Sequence, residues 1–81
     1  MPRVIILRMR LVPLLDASGV TMIEEFMKQA EFSGTRLILS GVQPEPKGML
    51  ARAGLAEGRE GLSFAPDFAA ALEMARGTTQ A

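Results

Sequence analysis

The residues with the most distinctive chemistry lie in the run Asp16-Ala17-Ser18-Gly19, which separates an apolar segment from a helical pattern. A serine at the start of a helix lies beside free backbone N–H groups and the positive end of the helix dipole. A phosphate on Ser18 would be tolerated there, and with Asp16 it would form an acidic patch that repels acidic partners or recruits basic ones. Gly19 would let the backbone of a partner approach closely.

The same residues have a simpler structural interpretation. Asp16 and Ser18 are both plausible N-caps, because their side-chain oxygens can accept hydrogen bonds from the first N–H groups of the helix. Capping is the commonest role of such residues at such a position. The two interpretations are compatible, so the sequence alone leaves this corner as a helix cap, a partner-facing surface, or both.

The composition excludes several classes of function. The 81-residue chain has no Cys and no His, which removes disulfides, thiol nucleophiles, histidine acid–base chemistry and nearly all zinc sites. Nine basic and nine acidic residues give no net charge, so there is no electrostatic case for binding nucleic acid. Glu24 and Glu25 are interpreted as solvated charge. Without a convergent polar constellation we expect no enzyme, no catalytic residues and no metal.

The hydropathy pattern gives no sign of a membrane span. No apolar run approaches the roughly 18–20 residues that a membrane-spanning helix needs. Arg8 and Arg10 interrupt the apolar N-terminal run, so it is not a signal peptide. We expect the chain itself to be soluble.

The elements that must position the corner alternate between strand and helix. The continuous aliphatic run at residues 4–7 predicts a strand buried on both faces, with a possible extension to residue 11. Further strands are predicted at residues 36–39 and 62–64, and helices at residues 17–30, 46–53 and 66–77. The alternation indicates an α/β fold, a mainly parallel sheet flanked by helices, in one domain over residues 1–81.

Helical spacing predicts which side chains of the helices are buried. The first helix has an apolar stripe made of Val20, Ile23, Phe26, Met27 and Ala30, and the last has one made of Phe68, Ala71, Leu72 and Ala75. The methionines at positions 9, 22, 27, 49 and 74 are expected mainly to fill gaps in the core, with Met22 as an exception that could be exposed.

The segment at residues 41–43 follows the second predicted strand, where parallel α/β sheets place their ligand loops. It either joins the Ser18 corner in one recognition surface or is an ordinary turn before Pro44 and Pro46. The candidate partner-binding set is Asp16, Ser18, Gly19, Val20, Gly41, Val42 and Gln43. No glycine-rich phosphate loop of the usual spacing is present, so no cofactor is expected, and nucleotide binding is the lesser hypothesis.

The first strand is the most hydrophobic and is suited to pairing on both sides, yet no strand precedes it in the sequence. We therefore expect an N-terminally incomplete sheet belonging to a longer natural chain. If residues 1–81 are the whole chain, the exposed strand edge should produce a homo-oligomer or a swapped sheet.

Several runs, in order, resemble the STAS domain (sulfate transporter and anti-sigma factor antagonist). Residues 4–9 and 12–19 resemble its strand and phospho-acceptor motif, and residues 34–44 resemble the SulP-transporter version of the next strand and turn. Residues 49–55 match the following helix with its glycine stop, and residues 68–72 fit the closing helix. The resemblance covers residues 4–76 and lacks the family's N-terminal strands and first helix.

The resemblance implies an α/β fold without catalysis. Ser18 matches the serine that a partner kinase phosphorylates in the antagonists, and a nucleotide-binding role has been proposed within the family. The run at residues 40–44 favours the regulatory, protein-interaction domain of a SulP-type sulfate/anion transporter. Such a domain lies at the cytoplasmic face of the inner membrane and binds a protein partner or the transporter's own membrane domain. The alternative is a free-standing anti-sigma factor antagonist switched by phosphorylation at Ser18.

Overall fold

The computed structural model describes residues 3–80 of the chain, with side chains described for residues 3–77. Within these residues three strands alternate with three helices: β1 (Arg3–Arg8), α1 (Ala17–Ser33), β2 (Thr35–Ser40), α2 (Pro44–Arg52), β3 (Leu62–Ala65) and α3 (Phe68–Gln80). The strands form one parallel sheet in the order β1-β2-β3. The α/β fold predicted from the alternation is confirmed.

The topology decides which face each helix covers. Both crossovers move in the same direction across the sheet, and right-handed crossovers therefore place α1 and α2 on one face. The main core lies under these two helices and consists of Met9, Ile23, Met27, Leu37, Leu39, Leu50, Leu55 and Leu62. On the other face, Ala71 of α3 packs against Ile38 and Ala65.

β1 lies at an edge of the sheet, so the expectation that both of its faces are buried was wrong. Ile5 is 37% exposed, whereas Leu37 and Leu39 of the central strand β2 are fully buried. Both strands contain aliphatic runs, but a run of this kind does not reveal which strand lies in the middle of the sheet.

The predicted extension of β1 to residue 11 was also wrong. The strand ends at Arg8, and Met9 turns into the core, where it is 5% exposed. The N–H of Val12 donates to the carbonyl of Met9 at 3.1 Å and closes a turn there. Leu11 is therefore carried away from the sheet, into the loop that leads to α1.

Backbone hydrogen bonds establish which polar groups of β1 face outward. The N–H of Met9 donates to the carbonyl of Ser40 at 2.8 Å, in the register that pairs Arg8 with Ser40. In a parallel sheet, every second residue of a strand forms its backbone hydrogen bonds with the same neighbouring strand. The odd-numbered residues of β1 therefore bond to β2, and the backbone groups of Val4, Ile6 and Arg8 point to the open edge.

α1 is one turn longer than predicted and ends where Gly34 adopts φ 71°. That left-handed conformation suits glycine, whose N–H bonds back to the carbonyls of Ala30 and Glu31. The buried side of the helix consists of Val20, Ile23, Met27 and Ala30. Phe26, which the helical pattern placed on the same stripe, is 37% exposed.

α2 begins at Pro44, two residues earlier than predicted. Proline is well suited to a first helical turn because its missing N–H would have no acceptor there. Its inward-facing residues include Leu50, which is fully buried and packs in the main core.

α3 differs from its prediction at both ends. It begins at Phe68, because the carboxylate of Asp67 accepts a hydrogen bond of 2.7 Å from the N–H of Ala70, and it continues through Gly77 to Gln80. Its buried face is also narrower than expected. Ala71 is fully buried, but Phe68, Leu72 and Met74 are 36–38% exposed, so Met74 does not fill a core gap.

Candidate partner-binding surface

The corner between β1 and α1 is held by Asp16. Its backbone is extended (φ −93°, ψ 179°), and its Oδ1 accepts a hydrogen bond of 2.8 Å from the N–H of Gly19. Its carbonyl accepts a second bond, of 3.0 Å, from the N–H of Val20. Of the two N-caps that the sequence offered, the structure selects Asp16.

Ser18 is consequently not needed as a cap. It is the second residue of α1, its side chain is exposed, and within the described residues its hydroxyl makes no hydrogen bond. The first turn of α1 contains no acidic side chain. The hydroxyl therefore faces solvent close to the positive end of a 17-residue helix, with the Asp16 carboxylate as its nearest acidic neighbour in sequence.

The two residues after Ser18 connect the corner to the core. A Cβ atom added to Gly19 would lie 2.9 Å from Cδ2 of Leu15, so the loop packs closely against the helix at this point. Val20 is 8% exposed and its side chain packs inward. Only the backbone of Val20 therefore remains at the corner that the sequence assigned to a partner.

The loop after β2 lies directly against the loop after β1. Gly41 has φ 67°, and a Cβ atom there would lie 3.2 Å from Cβ of Arg10. The Nε2 amide of Gln43 donates a hydrogen bond of 2.8 Å to the carbonyl of Arg10. The glycine and the amide together hold residues 41–43 in a fixed position beside the β1–α1 loop.

The loop that leads from β1 to the Ser18 corner meets residues 41–43 at the carboxyl end of the sheet, on the α1/α2 face. Val12 and Leu15 from the first loop and Val42 from the second pack against the same core cluster. Asp16 and Ser18 protrude, whereas residues 41–43 are half-buried. The "carboxyl-edge surface" is defined here as Asp16, Ser18, Gly19, Gly41, Val42 and Gln43.

Sequence reasoning missed two residues of the β1–α1 loop. Leu11 is 81% exposed and Leu14 is 69% exposed. They flank the Val12-Pro13 pair, and their spacing fits neither a strand nor a helix. This irregular spacing was the sequence signal that the two leucines are not part of a buried face. Exposed leucines next to the Asp16 corner provide apolar area that a protein partner could bury.

The chemistry available at this surface is hydrogen bonding, apolar contact and modification of the Ser18 hydroxyl. In the described part of the chain, no three His, Cys, Asp or Glu side chains lie close enough to hold a metal ion. None of the helices in residues 3–80 combines the length and the apolar character that crossing a bilayer requires.

The model of the STAS domain family matches residues 2–71, which include all three strands and the Ser18 corner. The chain belongs to the STAS domain family. Comparison with curated proteins and with solved structures gave no significant match. Membership assigns this STAS domain a regulatory or protein-interaction role, and it confirms the family resemblance seen in the sequence.

Proposed function

We propose that this STAS domain is the regulatory, protein-interaction domain of a SulP-type sulfate/anion transporter, acting at the cytoplasmic face of the inner membrane. The general role follows from family membership. The transporter context is supported by residues 40–44, which resemble the SulP version of this turn. In the proposal the domain is non-catalytic, and its carboxyl-edge surface contacts either the transporter's own membrane domain or a protein partner.

The observation that carries the proposal is that Asp16 and Ser18, two neighbouring polar residues, have different roles at the start of α1. Asp16 caps α1, so the exposed Ser18 has no structural task in the described chain. An exposed hydroxyl without a partner, four residues after the exposed Leu14, is suited to docking, and a change at Ser18 would alter binding without unfolding the helix.

The test is made on the full-length protein in cells that take up the anion. Ser18→Glu places a negative charge on the carboxyl-edge surface and should change the uptake rate severalfold at equal protein level. Thr21→Glu, on an exposed residue of the next turn, is the matched control and should leave uptake unchanged. Equal uptake in all three proteins, or a full-length gene without membrane segments, would reject the transporter role.

The alternative function is that of a free-standing anti-sigma factor antagonist switched by phosphorylation, which the exposed hydroxyl at a helix start also supports. Intact mass spectrometry of the protein from its native host would then detect one phosphoryl group. Ser18→Ala should abolish that mass shift, whereas Thr21→Ala should retain it. A protein that carries no phosphate under any growth condition contradicts this alternative.

A further inference from the structure

A second cleft lies at the carboxyl end of the sheet, on the α3 face. It has a volume of about 240 Å³, with Arg8, Arg10 and Ser40 on the sheet side and Asp67, Phe68 and Ala69 on the α3 side. Arg8 and Ser40 are register partners at the ends of β1 and β2. The cleft is thus built by the same strand ends as the carboxyl-edge surface, but it opens on the opposite face.

Its two arginines form no ion pair within the described residues. Cζ of Arg8 lies 4.4 Å from the ring centroid of Phe68, so stacking positions this guanidinium against the first residue of α3. The Arg10 side chain makes no hydrogen bond or salt bridge in the described chain, and only its backbone carbonyl is engaged, by Gln43. Both cations therefore have their N–H donors available.

The floor of the cleft contains one polar side chain, that of Ser40. Ser40 is 2% exposed, and its hydroxyl makes no hydrogen bond to any described residue. The hydroxyl oxygen is not among the fully enclosed unpaired polar atoms of the described residues, so it is open to the cleft. A ligand oxygen in the cleft would supply the missing hydrogen bond.

The α3 side contributes backbone donors. The carboxylate of Asp67 satisfies the N–H of Ala70, which leaves the N–H groups of Phe68 and Ala69 without an intrahelical acceptor. Asp67 is the negative charge at this site, and it shares the cleft with two arginines and the positive end of a 13-residue helix. The balance of charge in the cleft is positive.

We propose that this cleft binds a small oxyanion, of the phosphate, sulfate or carboxylate class. The planar guanidinium groups suit paired hydrogen bonds to such an ion, the Ser40 hydroxyl would donate a third, and the start of α3 would complete the cradle. The site lies across the sheet from Ser18, so it goes beyond the proposed function and is tested separately from it.

The test is a titration of the ¹⁵N-labelled 81-residue chain with sodium phosphate, at constant ionic strength maintained with sodium chloride. Backbone amide signals of Ser40, Gly41, Phe68 and Ala69 should shift and saturate. Arg10→Gln should weaken binding at least about tenfold, because a charge-assisted hydrogen bond is lost. Arg52→Gln removes the same charge from α2, away from the cleft, and should leave the affinity unchanged.

Arg10 is exposed, and Ser40→Ala is a small change. The variants Arg10→Gln and Ser40→Ala should therefore keep the wild-type amide spectrum. They can test the site even if substitutions of Arg8 prevent folding. Parallel titrations with sulfate, acetate and O-phosphoserine distinguish a free ion from an oxyanion attached to an organic group. Tighter binding of O-phosphoserine than of inorganic phosphate assigns the site to an attached group. Non-saturating shifts, or equal affinity in Arg10→Gln and Arg52→Gln, overturn the proposal.

Discussion

The side-chain amide of Gln43 donates a hydrogen bond of 2.8 Å to the backbone carbonyl of Arg10, across 33 residues of sequence. It joins the loop after β1, which leads to the Asp16 corner, to the loop after β2, which contains residues 41–43. Both loops also carry residues that pack on one core cluster, Val12 and Val42 among them. The surface is therefore a fixed structure and not two independent loops.

Gln43→Met should lower the free energy of unfolding by about 1 kcal/mol, because the thioether keeps the length of the side chain but cannot donate to the carbonyl of Arg10. Urea denaturation followed by circular dichroism measures the change. Gln29→Met, at an exposed position of α1, is the matched control and should change stability by less than half as much. Equal effects of the two substitutions would contradict a structural role for the Gln43 bond.

Asp16→Ala should destabilise the domain by about 1 kcal/mol, since the cap of α1 is lost. Asp16→Asn retains an acceptor oxygen and should recover most of that loss. Ser18→Ala should stay within about 0.5 kcal/mol of wild type, as expected for an exposed residue without a structural bond. Thermal denaturation of the four proteins compares them directly, and a larger loss from Ser18→Ala than from Asp16→Ala would reverse the assignment of the cap.

Gly41→Ala should cost about 1–2 kcal/mol, because φ 67° is unfavourable for alanine and the new Cβ would lie 3.2 Å from Arg10. Gly48 provides the opposite case, since it lies within α2 and a Cβ there meets no atom within 4 Å. Gly48→Ala should therefore stabilise the domain by about 0.5–1 kcal/mol. Denaturant midpoints of the two variants should move in opposite directions, and a shared direction would count against this account.

The expectation that the chain associates through β1 stays a prediction. The outward-facing backbone groups of Val4, Ile6 and Arg8 indicate which residues would pair with a second copy. Antiparallel pairing of two copies about a twofold axis near Ile6 would place these groups opposite one another. Light scattering over a concentration series should then show a dimer of the 81-residue chain.

Ile5→Lys places a charge at the open edge and should shift the protein toward monomer. Phe32→Lys, at a position that is 96% exposed on α1, is the control and should not. A wild-type chain that remains monomeric at every concentration tested would remove the case for edge pairing.

The parts of the fold that the sequence predicted are those decided locally. The aliphatic run of β2 and the Asp16 corner each have a short-range physical signature, and both were found close to the predicted residues. The position of β1 at an edge depends on strand order, which no local pattern encodes. The same limit explains Phe26, because its exposure depends on where α2 and the sheet lie around α1.

The candidate site was predictable only in part for a similar reason. The motif around Ser18 and the loop at residues 41–43 were selected from their types and from their positions after strands. The hydrogen bond from Gln43 to Arg10 and the exposure of Leu14 arise from loop packing, which periodicity does not describe. The cleft beside α3 was missed because Arg8, Ser40 and Asp67 are far apart in sequence and meet only through the strand register.

At the end of β1, two consecutive residues face opposite sides of the sheet. Arg8 belongs to the α3 face, and the next residue, Met9, is anchored in the core under α1 and bonded to the carbonyl of Ser40. An ion held by Arg8 and Ser40 would therefore contact the residue that directly precedes Met9 in the chain. The proposed ion site on one face of the sheet and the main core on the other are thus separated by a single peptide unit of the chain.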